Sequence, residues 1–275
     1  MVGLIVTIIR PSKGWRGVNV KELLHYKDLL RFLTIRGIKA KYAQSILGIG
    51  WAIIQPLVTT VVFTIIFGNL AKVSSEGVPY FIFSLTAMVP WTYFSNTLTD
   101  AANSLITNAN LITKVYFPRL VLPLTAALSK LLDFLIAFTV LIVMLLVYGF
   151  SMNWTLIWLP LLIIILLLTS LGAGMLLAAL AVQYRDVKHA LSFMVQLLMY
   201  AAPVVYPTSN VPEAYRIWYA LNPMVGVIEG FRAVFLHTQP MPWNYIGLGT
   251  MVAIFLFIGG LFYFRKMERN FADVA

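Results

Sequence analysis

From Trp51 to Ala71 the chain runs for 21 residues without a charged side chain. As a helix, such a stretch is long enough to cross the hydrocarbon core of a bilayer. Just before it stands RGIKAKYAQSILGIG, with Arg36, Lys39 and Lys41 inside six residues. Cations, then a Trp, then about twenty apolar residues are the order met on passing from water into a membrane. Gln55 and Pro56 lie inside the run, and Gly48 and Gly50 at its mouth permit close approach of another backbone.

Composition extends this reading to the whole chain. Of its 275 residues 60% are hydrophobic and 11% charged, and the mean hydropathy is +0.87. A soluble domain of this size cannot hide so much apolar surface, so the bilayer must solvate much of it. The absence of cysteine excludes disulfides, thiolate zinc sites and cysteine catalysis. A net charge of +10 would suit nucleic acid, but the cations gather at the ends of apolar runs, which argues for lipid and against nucleic acid. The opening MVGLIVTIIRPSKGW lacks the small-residue pattern of a cleavable signal and reads as an interfacial piece.

The predicted fold is an all-α polytopic membrane protein. Residues 1–48 form a cytoplasmic N-terminal segment with nine Lys/Arg against Glu22 and Asp28, and from Val20 its apolar positions fit an amphipathic helix lying along the membrane surface. Residues 49–264 form the transmembrane domain, with six spans at about 51–71, 78–98 (interrupted by Pro90), 120–148, 156–182, 190–205 and 245–264. The third is over-long, since its 29 residues would reach about 43 Å. Residues 265–275 form a charged tail. Between the fifth and sixth spans, about 207–236, Pro207, Pro212 and Pro223 exclude one continuous helix, yet RIWYAL and MVGVIEGF are too apolar for an exposed loop. Two short helices dipping in and back, broken near Asn222–Pro223, reconcile both facts, with Gly226 and Gly230 allowing tight packing.

Six spans put both termini on one side. That side carries sixteen Lys/Arg, whereas the other carries Lys72, Arg216 and Arg232, which predicts cytoplasmic termini.

Chemistry-bearing motifs are missing. There is no Gly-Lys pair for a phosphate loop, no H-E-x-x-H and no Asp-x-Asp, and His25, His189 and His237 are far apart. No catalytic or metal residue is assigned. Lys130 and Asp133 lie within a span at i, i+3, a spacing that lets them neutralise one another. Such a lone pair supports an ion-coupled carrier poorly. Tyr80, Phe83, Trp91, Tyr93 and Phe94 crowd the second span and offer faces on which sugar rings could stack; the alternative is packing and an interfacial belt. Trp218 and Tyr219 are placed at the outer exit, where Glu229 and Arg232, three apart, can pair.

Several segments together resemble the membrane subunit of type-2 ABC exporters for cell-surface polysaccharides, the family that moves O-antigen, capsule and teichoic acid. They are IRGIKAKYAQSILGIGWAIIQP, LITKVYFPRLVLP, AVQYRDVKHAL and PVVYPTSNVPEAYRIWYALNPMVGVIEGFR, in that order, and the likeness runs from about Lys21 to the tail. The resemblance implies a homodimer in the bacterial inner membrane that works with two cytoplasmic ABC ATPase subunits. ATP and Mg would be bound by those partners, with no cofactor in this chain. It also implies an N-terminal interface helix at about Val20 to Tyr42, a cytoplasmic coupling helix at about Asn103 to Tyr116, and two re-entrant outer gate helices. Arg36, Lys39, Tyr42, Leu111, Ile112, Lys114 and Tyr116 are then the residues expected to meet the ATPase, with Leu111, Ile112, Val115 and Tyr116 as a small apolar docking face. The cargo would be an O-antigen-like polymer linked to undecaprenyl diphosphate. Rival readings are a type-2 permease for teichoic acid or a small hydrophobic molecule, and a polytopic enzyme of glycan assembly, for which clustered carboxylates would be needed.

Overall fold

A computed structural model describes residues 20–43, 45–184 and 186–268; the N-terminal interfacial piece, its cations Arg10, Lys13 and Arg16, and Arg185 and Arg269 lie outside the described residues. Every regular element among them is helical. Two helices, α1 (Val20–His25) and α2 (Lys27–Tyr42), precede α3 (Gly50–Phe63), which runs on into a wider π-helical stretch, Thr64–Leu70. Next come α4 (Tyr80–Thr107), a short α5 (Ala109–Lys114) and α6 (Val121–Val147). A tight turn of helix at Trp154–Trp158 leads into α7 (Leu159–Gln183), followed by α8 (Asp186–Tyr200), α9 (Glu213–Ala220), α10 (Pro223–Phe235) and α11 (Trp243–Met267).

Four of these helical stretches are long and apolar enough to cross a membrane: Gly50–Leu70, Val121–Val147, Trp154–Gln183 and Trp243–Met267. The other two predicted spans differ. Helix α8 has 15 residues, and α4 has 28 but is rich in Ser, Thr and Asn. The packing of α4 explains its composition. It touches α3, α6, α7, α8 and α10, so protein rather than lipid surrounds Ser84, Thr86 and Thr97. Thr86 returns its hydroxyl to the Ile82 carbonyl (2.8 Å). Pro90 does not interrupt this helix, which continues through it with both sides packed.

Helix α2 packs on α6 through one side and exposes most of the rest. It runs beside the first half of α6, where Ser129 donates to the Thr34 carbonyl (3.3 Å) and a Cβ on Gly37 would sit 3.0 Å from the Ser129 hydroxyl. Farther along, Lys41 and Tyr42 both reach Asp133.

The tightest crossing is between α7 and α11. A Cβ on Gly172 would lie 2.5 Å from the Phe257 amide nitrogen, and one on Gly260 2.2 Å from the Gly172 carbonyl oxygen. Only residues without a side chain let two backbones approach this closely.

Buried apolar residues form two clusters. The larger joins α4, α6, α7, α10 and α11 through residues such as Leu85, Leu141, Leu166, Ile228 and Ala253. The smaller gathers Leu33, Leu105, Ile112, Phe117, Met175 and Phe264, and ties α2, α4, α5, α7 and α11 together where α5 sits. Helix α11 links this end to the opposite one, where its first turns meet α10.

Candidate functional site

At the α10 end, Asn222 and Pro223 start a helix. Pro223 stands at the first position, where its missing N–H is not needed, and the Asn222 side chain accepts from the Met224 N–H (3.1 Å). All 13 residues of α10 are buried. The sequence permits this at two small positions. A Cβ on Gly226 would be 2.7 Å from the Tyr245 carbonyl on α11, and one on Gly230 2.6 Å from Leu162 on α7.

Burial of the whole helix forces its two charges to find partners inside the protein. Arg232 is 1% exposed, and its guanidinium donates to Glu229 (3.0 Å) and to the carbonyls of Val204 (3.1 Å) and Tyr206 (3.4 Å). Its other face lies over the ring of Phe83, 3.5 Å from the centroid. Glu229 accepts in addition from the Thr208 N–H (3.1 Å) and hydroxyl (2.8 Å). The pair therefore fastens the irregular segment before α9 to α10 and to α4. Desolvating two charges is offset only when further hydrogen bonds and ring contacts surround them, as here.

Beside this pair lies a cavity of about 200 Å³ lined by Glu76, Ser209, Arg216, Glu229, Arg232 and Gln239, among others. Glu76, in the loop before α4, accepts from Gln239 (2.6 Å), Ser209 (3.2 Å) and Thr238 (3.3 Å). One carboxylate thus holds the segments on both sides of the α9–α10 pair. Burial, and then the negative charge of Glu229, hold its carboxyl above the ordinary range, against the lowering effect of these donors.

Of the residues read as an outer gate, Glu229 and Arg232 are the interior pair just described. Trp218 is 72% exposed on α9, whereas Tyr219 is half-buried and donates to the Tyr206 hydroxyl (3.1 Å), which in turn donates to the Tyr200 carbonyl (2.7 Å). One of the two aromatics is open to a ligand and the other is tied down.

The α4 aromatics require a correction. Tyr80, Phe83, Trp91, Tyr93 and Phe94 are all buried within the chain's own bundle, so none offers a face for a sugar ring in this conformation. Tyr80 donates to the Val205 carbonyl (2.5 Å) and Tyr93 to that of Ala127 (3.2 Å), while Trp91 packs on Phe94 with centroids 5.4 Å apart. These rings are core because α4 is central.

At the other end, the expected Lys130–Asp133 pair is also corrected. Lys130 on α6 bonds Asp100 on α4 (2.7 Å), and Asp133 bonds Lys41 and Tyr42 of α2. Spacing along α6 would allow the local pair, but each residue has a nearer partner on a neighbouring helix. Together the two pairs form a neutral layer that joins α2, α4 and α6. Burial, followed by the hydrogen bond from its hydroxyl to Asp133 and that residue's charge, raises the Tyr42 phenol above its ordinary range.

Among the residues expected to meet an ATPase, Arg36 and Lys39 are exposed on α2, and Lys114 and Tyr116 are exposed at and just after the end of α5. Leu111 is half-buried and Ile112 is buried in the smaller core cluster. Of the four apolar side chains expected to form the docking face, Val115 and Tyr116 are exposed. Sequence reasoning gave no partner to Lys41, Glu76, Asp100, Arg119, Thr208 and Glu268, because each finds it on another segment of the chain. No group of three metal-ligating side chains occurs among the described residues.

Sequence comparison finds relatives along most of the chain. Over 259 residues the chain is 29% identical to the O-antigen export system permease protein RfbA of Klebsiella pneumoniae, covering 94% of this chain and 99% of that protein. It is 30% identical over 257 residues to the protein of the same name from Myxococcus xanthus, covering 92% and 98%. Identity to the polysialic acid transport protein KpsM of Escherichia coli is 23% over 250 residues, covering 88% and 94%. The sequence pattern of the ABC-2 type transporter membrane family matches residues 28–236, from the start of α2 to the end of α10, so the chain belongs to that family.

Proposed function

We propose that the chain is the pore-forming permease of an ATP-driven exporter of cell-surface polysaccharide, working as a homodimer with two ABC ATPase subunits. The observation that carries this reading is the nearly end-to-end similarity to permeases named for O-antigen export. The polymer would travel as a glycan linked to undecaprenyl diphosphate. This chain itself makes and breaks no covalent bond; ATP and Mg belong to the partner.

In this reading α4 and α8 complete a six-span bundle, α4 sheltered by its neighbours and α8 lying against α4 and α7. Helices α9 and α10 dip into the membrane from the outer side, an arrangement that irregular backbone tolerates where protein encloses it. Both termini face the cytoplasm, given the sixteen-to-three division of Lys and Arg. ATP closing the ATPase pair would push on α2 and α5, and the two permeases would rock apart.

The test is complementation. Cells that make a lipid-linked O-antigen but lack its exporter receive this chain together with its cognate ATPase. Polymer on the surface is the expected result. Polymer that stays on the inner leaflet while a small hydrophobic molecule is expelled would overturn the reading.

A further inference from the structure

Helix α11 is in contact with both ends of the molecule. It runs for 25 residues, about 37 Å. At its start, the Tyr245 carbonyl lies against Gly226 of α10, and a Cβ on Gly249 would lie 3.1 Å from Cα of Pro223. Toward its end, Gly260 lies against the Gly172 backbone. Contacts between backbones leave little slack, because there is no side chain to change rotamer.

At the α5 end, α11 finishes in a two-point tie to the turn between α5 and α6. The Arg119 N–H donates to one Glu268 carboxylate oxygen (3.0 Å), and the Arg119 guanidinium donates to the Glu268 carbonyl. The second carboxylate oxygen accepts from Arg265 (3.1 Å), which fixes its direction. These are charge-assisted bonds between residues 149 positions apart, and a shift of one residue on either side would break both.

From this geometry we propose that Glu268 is the positioning residue that couples the α5 end to the α10 end. Through Arg119 it makes α11 follow the α5–α6 turn, and α11 carries that displacement to Gly226 and Pro223 of α10. Helix α4 also leads into α5, but its helix stops at Asn108, where the backbone leaves helical geometry (φ −108°, ψ 23°). Across that break the Ile112 N–H donates to the Asn108 carbonyl (3.1 Å), and Leu105 and Ile112 share the smaller core cluster, so α4 and α5 stay connected. The Arg119–Glu268 tie adds a second route, by which motion of the α5–α6 turn passes to α11. This inference rests on α5 being the contact with the ATPase.

The chain has no cysteine, so an introduced pair can be cross-linked without background. The assay uses the permease–ATPase complex in proteoliposomes, following ATP hydrolysis and movement of lipid-linked polymer. The expected result for Glu268→Gln is a complex that assembles and hydrolyses ATP but exports polymer about fivefold or more slowly. R119C/E268C should be equally slow when reduced and regain export when a short bis-maleimide bridges the two thiols. A merely structural contact would not give that recovery while assembly stays constant. Export by Glu268→Gln at the unaltered rate, or a bridged pair that stays slow, would overturn the proposal. Failure of the unaltered chain to assemble with the ATPase would instead remove the reading of α5 on which the proposal stands.

Discussion

Arg232 places its guanidinium 3.5 Å over the centre of the Phe83 ring, so the one cation of α10 is held between an aromatic face on α4 and the carboxylate of Glu229. Removing either charge alone leaves the other buried without compensation. Glu229→Leu or Arg232→Met should each destabilise the chain by about 3–5 kcal/mol, and the double variant by distinctly less. Thermal unfolding of the detergent-solubilised protein reads this out; additive single effects would contradict it.

Glu76 supplies a pH dependence with a defined sign. Its carboxyl is raised above its ordinary value by burial and by Glu229, so folding favours its protonated form. That contribution is fully present below the unfolded value, about 4.5, and is lost as pH rises through the raised folded value. The melting temperature of the unaltered chain, relative to Glu76→Gln, should therefore increase as pH falls from 7 toward 5. A difference that does not change with pH would count against this assignment.

Position within α5 separates folding from docking. Ile112 is buried with Leu33, Leu105 and Phe264, so Ile112→Asp should unfold this end by burying an unpaired charge, a cost of several kcal/mol. Tyr116 is 64% exposed, so Tyr116→Asp should change stability by no more than about 0.5 kcal/mol while weakening co-purification of the ATPase. Equal yields of ATPase with both forms would remove Tyr116 from the contact.

Two glycines on neighbouring stretches of helix should behave oppositely. Gly172→Ala would push a methyl group into the Phe257 backbone, and overpacking of that kind costs about 1–3 kcal/mol. Gly259→Ala meets nothing within 4 Å and should be neutral or slightly stabilising. Parallel melting curves check the pair, and similar shifts would refute the close crossing of α7 and α11.

Sidedness follows from charge. A phosphatase fused after Ala275, active only outside the cytoplasm, should be silent, whereas the same enzyme inserted at Gly77 should be active. An active C-terminal fusion would reverse the proposed orientation.

The sequence by itself determined the solvent, the helical class and the places where regular spans fail. Apolar runs separated by charge require a bilayer, and a bilayer requires each spanning backbone to satisfy its own hydrogen bonds, which leaves helices as the outcome. Pro223 after Asn222, with Gly226 and Gly230 beyond, marked a short, tightly packed helix, because these residues act through their own backbone. Charge partners were not legible in the same way. Lys130 and Asp133 stand three apart, yet they bind Asp100 on α4 and Lys41 and Tyr42 on α2, since attraction follows distance through space and not along the chain. The aromatics of α4 look alike in sequence whether they line a pore or fill a core. Only the arrangement of α3, α6, α7, α8 and α10 around them decided that they are core, and only the meeting of residues 149 apart brought Arg119 to Glu268.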